Sequence, residues 1–368
     1  MKVALVHDWL TGMRGGEKVL EALGELFPQA DIFTLLWIKG KVSEKIEQHP
    51  IYTSFLQKIP GAGKNYRNFL PIMPLAIERF NLQEYDLVIS SSHCVAKGVK
   101  KLGRKSIHIC YCHTPMRYIW NQYEEYFNPE RTNFIVRSLM GLIRVYLQRW
   151  DVKSSERVNY FIANSHNVKK RIKDYYRREA EVIYPPVDID GYPAARLESY
   201  YLMVTALVPY KRVDIAIKTF NELGCNLKII GSGPDEKRLK NLAAENIEFL
   251  GWKTNAEIKS YYAGCRALIF PQEEDFGITA VEVQAAGKPV VAYGYGGALE
   301  TVNEGRTGVF FFEPAAASLK EAVRKIETVK FSPEDLKKNA EKFSYPRFYE
   351  EIRKFVDKVA SKDRGISM

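Results

Sequence analysis

Short apolar runs alternate with amphipathic stretches along most of the chain. KVALVH, residues 2–7, is apolar and partly β-branched over a length that suits a buried parallel strand. Beyond a glycine-containing turn, Val19, Leu20, Leu23 and Leu26 recur at helical spacing and predict an amphipathic helix. ADIFTLLW, DLVISSS (86–92) and KSIHICYCHTP (105–115) predict further strands, the last stopped by Pro115. Residues 134–158 carry a long helical pattern. Ile135, Leu139, Leu142, Ile143, Tyr146 and Trp150 mark one face, flanked by Arg137, Arg144, Arg149 and Lys153. YFIANS reads as a strand and NVKKRIKDYYRR as a basic helix, capped by Asn164 or Ser165. The Pro pair of VIYPPVDID predicts a linker. The alternation then starts again: YLMVTALV, LKIIG, IEFLGW, ALIF and PVVAY predict strands, interleaved with helical stretches such as VDIAIKTFNEL and NAEIKSYYAGC. A last amphipathic helix covers SYPRFYEEIRKFVDKVA.

Strands alternating with helices predict an α/β fold of parallel sheets with crossover connections. In such sheets ligands sit beyond the carboxyl ends of strands, where His7, Ser90 to His93 and His113 fall.

Composition narrows this picture. The chain of 368 residues is long enough for two domains, and 46% hydrophobic content with 27% charge describes a soluble globular protein. No apolar run reaches the roughly 18 residues of a spanning helix, and MKVALVHDWL lacks a signal-peptide layout; the expected location is cytoplasmic. Five cysteines, an odd number in a large chain, argue against a disulfide framework. Cys110 and Cys112 have no second pair at zinc spacing and read as core thiols. The net charge is +10, and residues 131–180 hold 12 Lys or Arg against 4 Asp or Glu. Such a segment suits nucleic acid, anionic lipid or phosphorylated ligands. No RNP motif, zinc spacing or aromatic–basic stripe supports nucleic acid.

Candidate chemistry concentrates in EEDFGITAVEVQAAGKPVVAYGYGG. Glu274 in a loop and Glu282 on the following helix would be separated by up to ~12 Å of helix rise. The free N–H groups of the helix start, Phe276, Gly277, Ile278 and Thr279, suit sugar and phosphate oxygens. Glu282 could accept two bonds from a vicinal diol, and Glu274 could hold hydroxyls of a sugar. An ordinary βαβ unit with a surface glutamate pair fits this spacing equally well. Glu273 and Asp275 are expected to face solvent. Lys211, between a strand and a helix, could neutralise a diphosphate. Gly15 and Gly16, and Gly231 and Gly233 in GSGP, could bring backbone close to an anion or could simply form turns. The glycines near the start lack dinucleotide and P-loop spacing, so neither NAD nor ATP is indicated. Asp188-Ile189-Asp190 matches a metal-binding pattern but follows the Pro–Pro linker, and no metal or other cofactor is expected.

The Glu-(seven residues)-Glu stretch with Phe-Gly after the first Glu resembles the signature of retaining glycosyltransferases of family 4. HDWLTGMRGGEKVLEAL, YCHTPMRYIW, NSHNVKKRI, VIYPPVD, TALVPYKRVDIAI and GSGPDEKRL occur in that family's order. The resemblance implies a GT-B fold, two Rossmann-like domains facing across a cleft. An acceptor-side domain would span 1–190, joined by a helix crossing back at 345–368, and a nucleotide-sugar domain would span 198–344. It further implies His113, Lys211 and Glu274 as catalytic residues. Arg212, Gly231, Gly233, Phe276, Gly277, Ile278, Thr279 and Glu282 would bind the donor, and the Gly15–Gly16 loop would face the acceptor. The branch resembled builds O-antigen and other surface polysaccharides, often from GDP-mannose on glycan or lipid-linked acceptors; the basic segment 131–180 could make peripheral contact with an anionic membrane or could equally be a solvated basic helix pair. A UDP-sugar donor and a sugar-nucleotide epimerase of the same fold are the rival readings. One departure stands out. The family places an Arg five residues before Lys211, where this chain has Ala206; Arg212 is the expected substitute.

Overall fold

The computed structural model describes residues 1–126, 134–194 and 198–363. They form two compact units, Met1–Pro186 with Phe348–Met368, and Val187–Arg347.

The first unit is built on β1 (Val3–His7), β2 (Asp31–Thr34), β3 (Ile51–Thr53), β4 (Leu87–Ser92), β5 (Ile107–Cys112), β6 (Tyr160–Ala163) and β7 (Ala180–Val182). These seven strands are parallel and lie in the order β3-β2-β1-β4-β5-β6-β7. The second unit has β8 (Tyr200–Val204), β9 (Asn226–Ile230), β10 (Ile247–Gly251), β11 (Leu268–Phe270), β12 (Val290–Tyr293) and β13 (Gly308–Phe311). They too are parallel, in the order β10-β9-β8-β11-β12-β13. Strand order reverses between β1 and β4 and again between β8 and β11. A doubly wound sheet opens a crevice at the carboxyl ends of such strands. The fold is therefore α/β with two Rossmann-like halves.

The apolar runs explain most of this. All residues of β1, β4 and β5 are buried, as continuous runs in a two-sided sheet require. The helix at Gly15–Leu26 buries Val19, Leu20 and Leu23, and Ser165 caps the helix His166–Tyr176 by accepting the Val168 N–H at 3.1 Å. β3, β7 and β13 have no counterpart among the sequence-based strands. β3 and β7 are edge strands three residues long, with too few buried positions to carry a pattern.

One element packs through only part of its predicted face. The helix Phe134–Ser155 leaves Leu139, Leu142, Val145 and Tyr146 exposed. It packs through Ile143 and Trp150 of the predicted face, together with Leu147, Asp151 and Ser154. The packed face contains a buried carboxylate, so an apolar-only reading sets the centre of the face too far round the helix. Asp151 forms an ion pair with buried Lys97 and accepts hydrogen bonds from Trp120 Nε1 (2.8 Å) and Tyr176 OH (2.7 Å). These partners satisfy a charge that burial alone would forbid. The side chain of Ile135 lies outside the described residues.

Candidate active site

In the first unit the carboxyl ends of β1, β4 and β5 bring together His7, Ser91 and His113. Ser91 Oγ lies 3.1 Å from His7 Nδ1 and 2.8 Å from His113 Nε2. A Cβ on Gly16 would stand 3.4 Å from His7 Cε1 and 3.6 Å from His113 Nε2, so this glycine lets the helix start sit against both imidazoles. Gly15 is the first residue of that helix. Burial, then His93, His7 and Arg117, holds His113 well below the usual histidine range and keeps it neutral. Asn164 Nδ2 fixes the adjoining backbone by donating to the His113 carbonyl at 3.0 Å.

Asp8, which shares the strand end, is committed elsewhere. Its carboxylate accepts the backbone N–H groups of His93, Cys94, Val95 and Ala96 at 2.6 to 3.0 Å. His93 Nδ1 lies 3.1 Å from the same carboxylate. Asp8 is fully buried and acts as a clamp on the loop after β4.

In the second unit the loops after β8 and β11 bring Lys211 and Glu274 together. Lys211 Nζ bonds Glu274 Oε1, with 14% and 15% of the two side chains exposed. Both charges therefore remain reachable. The 274–297 stretch folds back on itself: Gly297 N donates to the Glu274 carbonyl at 2.8 Å. A Cβ on Gly297 would meet the Phe276 Cα at 2.4 Å. Phe276 is buried against Phe343, with ring centroids 5.3 Å apart. Gly277, at φ 94°, turns the chain into the helix Ile278–Ala285 in a conformation that glycine alone adopts readily. Ile278 and Thr279 begin that helix, and Glu282 lies on its second turn, accepting the Tyr262 OH at 3.0 Å. Asp275 departs from expectation. It is buried, at 6% exposure, because the turn at Gly297 packs over its carbonyl.

Gly231 and Gly233 serve backbone contact. A Cβ would stand 1.8 Å from the Thr205 carbonyl oxygen at Gly231 and 2.2 Å from the Leu207 oxygen at Gly233. The GSG turn is stitched to the loop after β8 by Thr205 N to Ile230 O and Leu207 N to Ser232 O, both 3.0 Å. This loop carries Ala206 and leads to Lys211, so the glycines set its path. Arg212 has a left-handed backbone, φ 50°, and its guanidinium reaches the Pro314 carbonyl (3.4 Å) and Asp214 (3.6 Å). Lys211 is thus the cation placed at Glu274. Asp188 is engaged by Lys259 Nζ at 2.7 Å. Sequence reasoning missed Glu17 and Tyr262, and it placed Ser91 at a strand end without its imidazole partners. Each acts only through a contact distant in the chain, for which no local signal exists.

Residues 13–190 match Glycosyltransferase Family 4, and residues 192–343 match Glycosyl transferases group 1. The chain is a glycosyltransferase of the family 4 type. Among relatives of this transferase is a glycosyltransferase of Methanocaldococcus jannaschii, 30% identical over 224 residues, spanning 58% of this chain and 63% of that protein. A GDP-mannose-dependent alpha-(1-6)-phosphatidylinositol monomannoside mannosyltransferase of Mycobacterium tuberculosis is 31% identical over 160 residues, 35% of this chain and 42% of that one. The transferase therefore matches less than two thirds of the length of either relative. Among solved structures, HepE of Anabaena in complex with UDP-glucose superposes with a TM-score of 0.72 at 18% identity. That match covers 97% of this chain and 100% of HepE, and it supports the GT-B fold.

Proposed function

We propose that this transferase moves a hexose, with retention, from a nucleotide sugar to a glycan or lipid-linked acceptor in surface-polysaccharide synthesis, and that the donor is GDP-mannose. The observation that carries the reading is the Lys211–Glu274 pair at the carboxyl ends of β8 and β11, with the helix start at Ile278 following closely and Glu282 on the second turn of that helix. An ammonium has three protons to share, and a carboxylate accepts several bonds. Lys211 can therefore hold a diphosphate while still bonded to Glu274, and Glu274 can take sugar hydroxyls. The amides of Phe276 to Thr279 would meet sugar and phosphate oxygens, Glu282 the ribose hydroxyls, and the backbone around Gly231 and Gly233 the nucleotide. As the bond to the departing phosphate lengthens, Lys211 and the helix-start amides stabilise the charge that develops there. The departing phosphate takes the acceptor proton on the same face of the sugar. His113 and the Gly15–Gly16 loop belong to the acceptor-side unit in this reading, with His113 contacting a ligand hydroxyl.

Mannose is favoured by the mycobacterial relative. The UDP-glucose complex of the Anabaena fold relative supports a UDP-sugar as the second reading. The deciding experiment incubates the protein with GDP-mannose and with UDP-sugars, together with lipid-linked and free glycan acceptors. Transfer from GDP-mannose supports the first reading, and transfer from UDP-sugars alone supports the second. Lys211→Ala and Glu274→Gln should each lower turnover about a hundredfold or more. Near-normal transfer by both variants would remove the assignment. Epimerised sugar without a transferred product would reassign the site to an epimerase.

A further inference from the structure

The buried group that the proposed reaction leaves unused is Glu17, together with the imidazole it faces. Glu17 divides its two oxygens. Oε2 accepts the Arg14 backbone N–H at 3.0 Å, and Oε1 lies 3.8 Å from His7 Nε2. The side chains of His7 and Glu17 are 0% and 5% exposed. Among the described residues His7 Nε2 has no hydrogen-bond partner, and the carboxylate within 4 Å of it is that of Glu17. From His7 the contacts continue through Ser91 Oγ to His113 Nε2.

We propose that Glu17 sets the tautomer of His113 through His7 and Ser91, so that His113 presents an unprotonated Nδ1 to a ligand hydroxyl. The inference rests on the reading of His113 as a ligand-contacting residue. Proton counting gives the direction. An ionised carboxylate has no proton to give, so in a buried pocket it selects the His7 tautomer with hydrogen on Nε2. With a single hydrogen, on Nε2, His7 has a lone pair on Nδ1, and Ser91 O–H donates to it. The serine hydroxyl has one proton, so towards His113 it can only accept, and His113 Nε2 carries the hydrogen. The lone pair of neutral His113 is left on Nδ1, a nitrogen with no hydrogen bond among the described residues. The opposite single-hydrogen arrangement would point a bare nitrogen of His7 at a buried carboxylate, whereas a second hydrogen on His7 Nδ1 would reverse the relay and leave His113 with Nδ1–H, an outcome that nitrogen NMR distinguishes. Glu17 is suited to this task. Burial pushes its carboxyl up, but the His7 contact and the nearby His93 outweigh that and hold it below the usual range. Glu17 is a positioning residue here, comparable in logic to the carboxylate that orients the histidine of a hydrolase triad.

The test is nitrogen NMR on the full chain labelled at its six histidines, recorded near pH 8, where free histidine is neutral. The His113 signal is assigned by its loss in His113→Gln. The expected wild-type state is Nε2–H with a bare Nδ1. Glu17→Gln keeps the Arg14 contact and removes the selective charge. Ser91→Ala breaks the relay at its middle and serves if the first variant folds poorly. Each should convert a large part of His113 to the Nδ1–H form. Each should also lower turnover about tenfold with a smaller change in donor KM, and the double variant should lose no more than either single one. A wild-type His113 protonated on Nδ1, or a tautomer that neither variant moves, would overturn the proposal. If the tautomer moves but His113→Gln transfers sugar normally, the relay stands and the contact of His113 with ligand falls.

Discussion

His108, the second residue of β5, is fully buried, with Nε2 2.9 Å from Ser90 Oγ and Nδ1 unpartnered among the described residues. Burial lowers its pKa from 6.5 to about 4. Between these values the unfolded chain binds a proton that the folded protein refuses, so stability is complete above pH 6.5 and is lost as pH falls toward 4. His108 alone should cost about 2 kcal/mol between pH 7 and pH 5, with His93 and His113 adding in the same direction. Urea midpoints at the two pH values read this, and His108→Asn should flatten the slope. An unchanged slope in that variant would place the acid sensitivity elsewhere. Such a residue is not legible in sequence, since a histidine inside an apolar run gives no sign of whether it is charged. That Lys211 and Glu274 follow strands and Glu282 stands on a helix was legible, because spacing within strand–loop–helix units follows from local geometry. Gly231 and Gly233 were legible as residues that permit close approach, but the partner is the protein's own Thr205–Leu207 backbone, which only the fold reveals.

At the scale of elements, the helix Phe134–Ser155 separates what pattern can give from what it cannot. Its existence follows from periodicity, while its orientation depends on Asp151, which is paid for by Lys97, Trp120 and Tyr176 from three other segments. The same packing reduces the free positive charge of residues 131–180. Arg157 pairs with Glu78 at 2.7 Å, Arg178 donates to the Ser155 and Val158 carbonyls at 2.7 and 2.6 Å, and Arg144 Nε donates to the Ile119 carbonyl at 3.0 Å. What remains is a row of exposed Leu139, Leu142, Val145 and Tyr146, with exposed Arg149 and Lys153 beyond it. Apolar side chains beside unpaired cations suit the interface of an anionic bilayer. Among the described residues no helix is long and apolar enough to cross a membrane, so any contact of this helix would be peripheral. Sedimentation with vesicles containing phosphatidylglycerol should retain the protein, and pure phosphatidylcholine vesicles should not. Leu142→Asp with Tyr146→Ser should abolish retention. Equal retention of wild type and variant would assign binding to another surface.

Across the whole molecule, the chain leaves its first unit at Pro186 and rejoins it at Phe348. The two sheets were readable because each is a run of alternating strands and helices; the return of the last helix is a long-range contact, which amphipathicity alone does not specify. That helix, Tyr345–Asp363, buries Phe348, Ile352, Phe355, Val356 and Val359. Phe348 packs on Tyr111 of β5 (5.9 Å between ring centroids) and Phe355 on Tyr160 of β6 (6.3 Å). Lys358 Nζ reaches Glu181 of β7 at 2.9 Å. A buried side chain of this kind contributes about 1.5–3 kcal/mol, so five of them approach the whole stability of an ordinary domain. Ending the chain after Ser344 should therefore strip amide protection from β5, β6 and β7, while β8 to β13 keep theirs, because the apolar clusters described around β8 to β13 contain none of the five. Hydrogen exchange followed by peptide mass spectrometry separates the two sets. Equal loss in both sheets would mean that the helix stabilises the molecule as one cooperative body, and full retention in β5 to β7 would mean that its burial contributes little to the first unit.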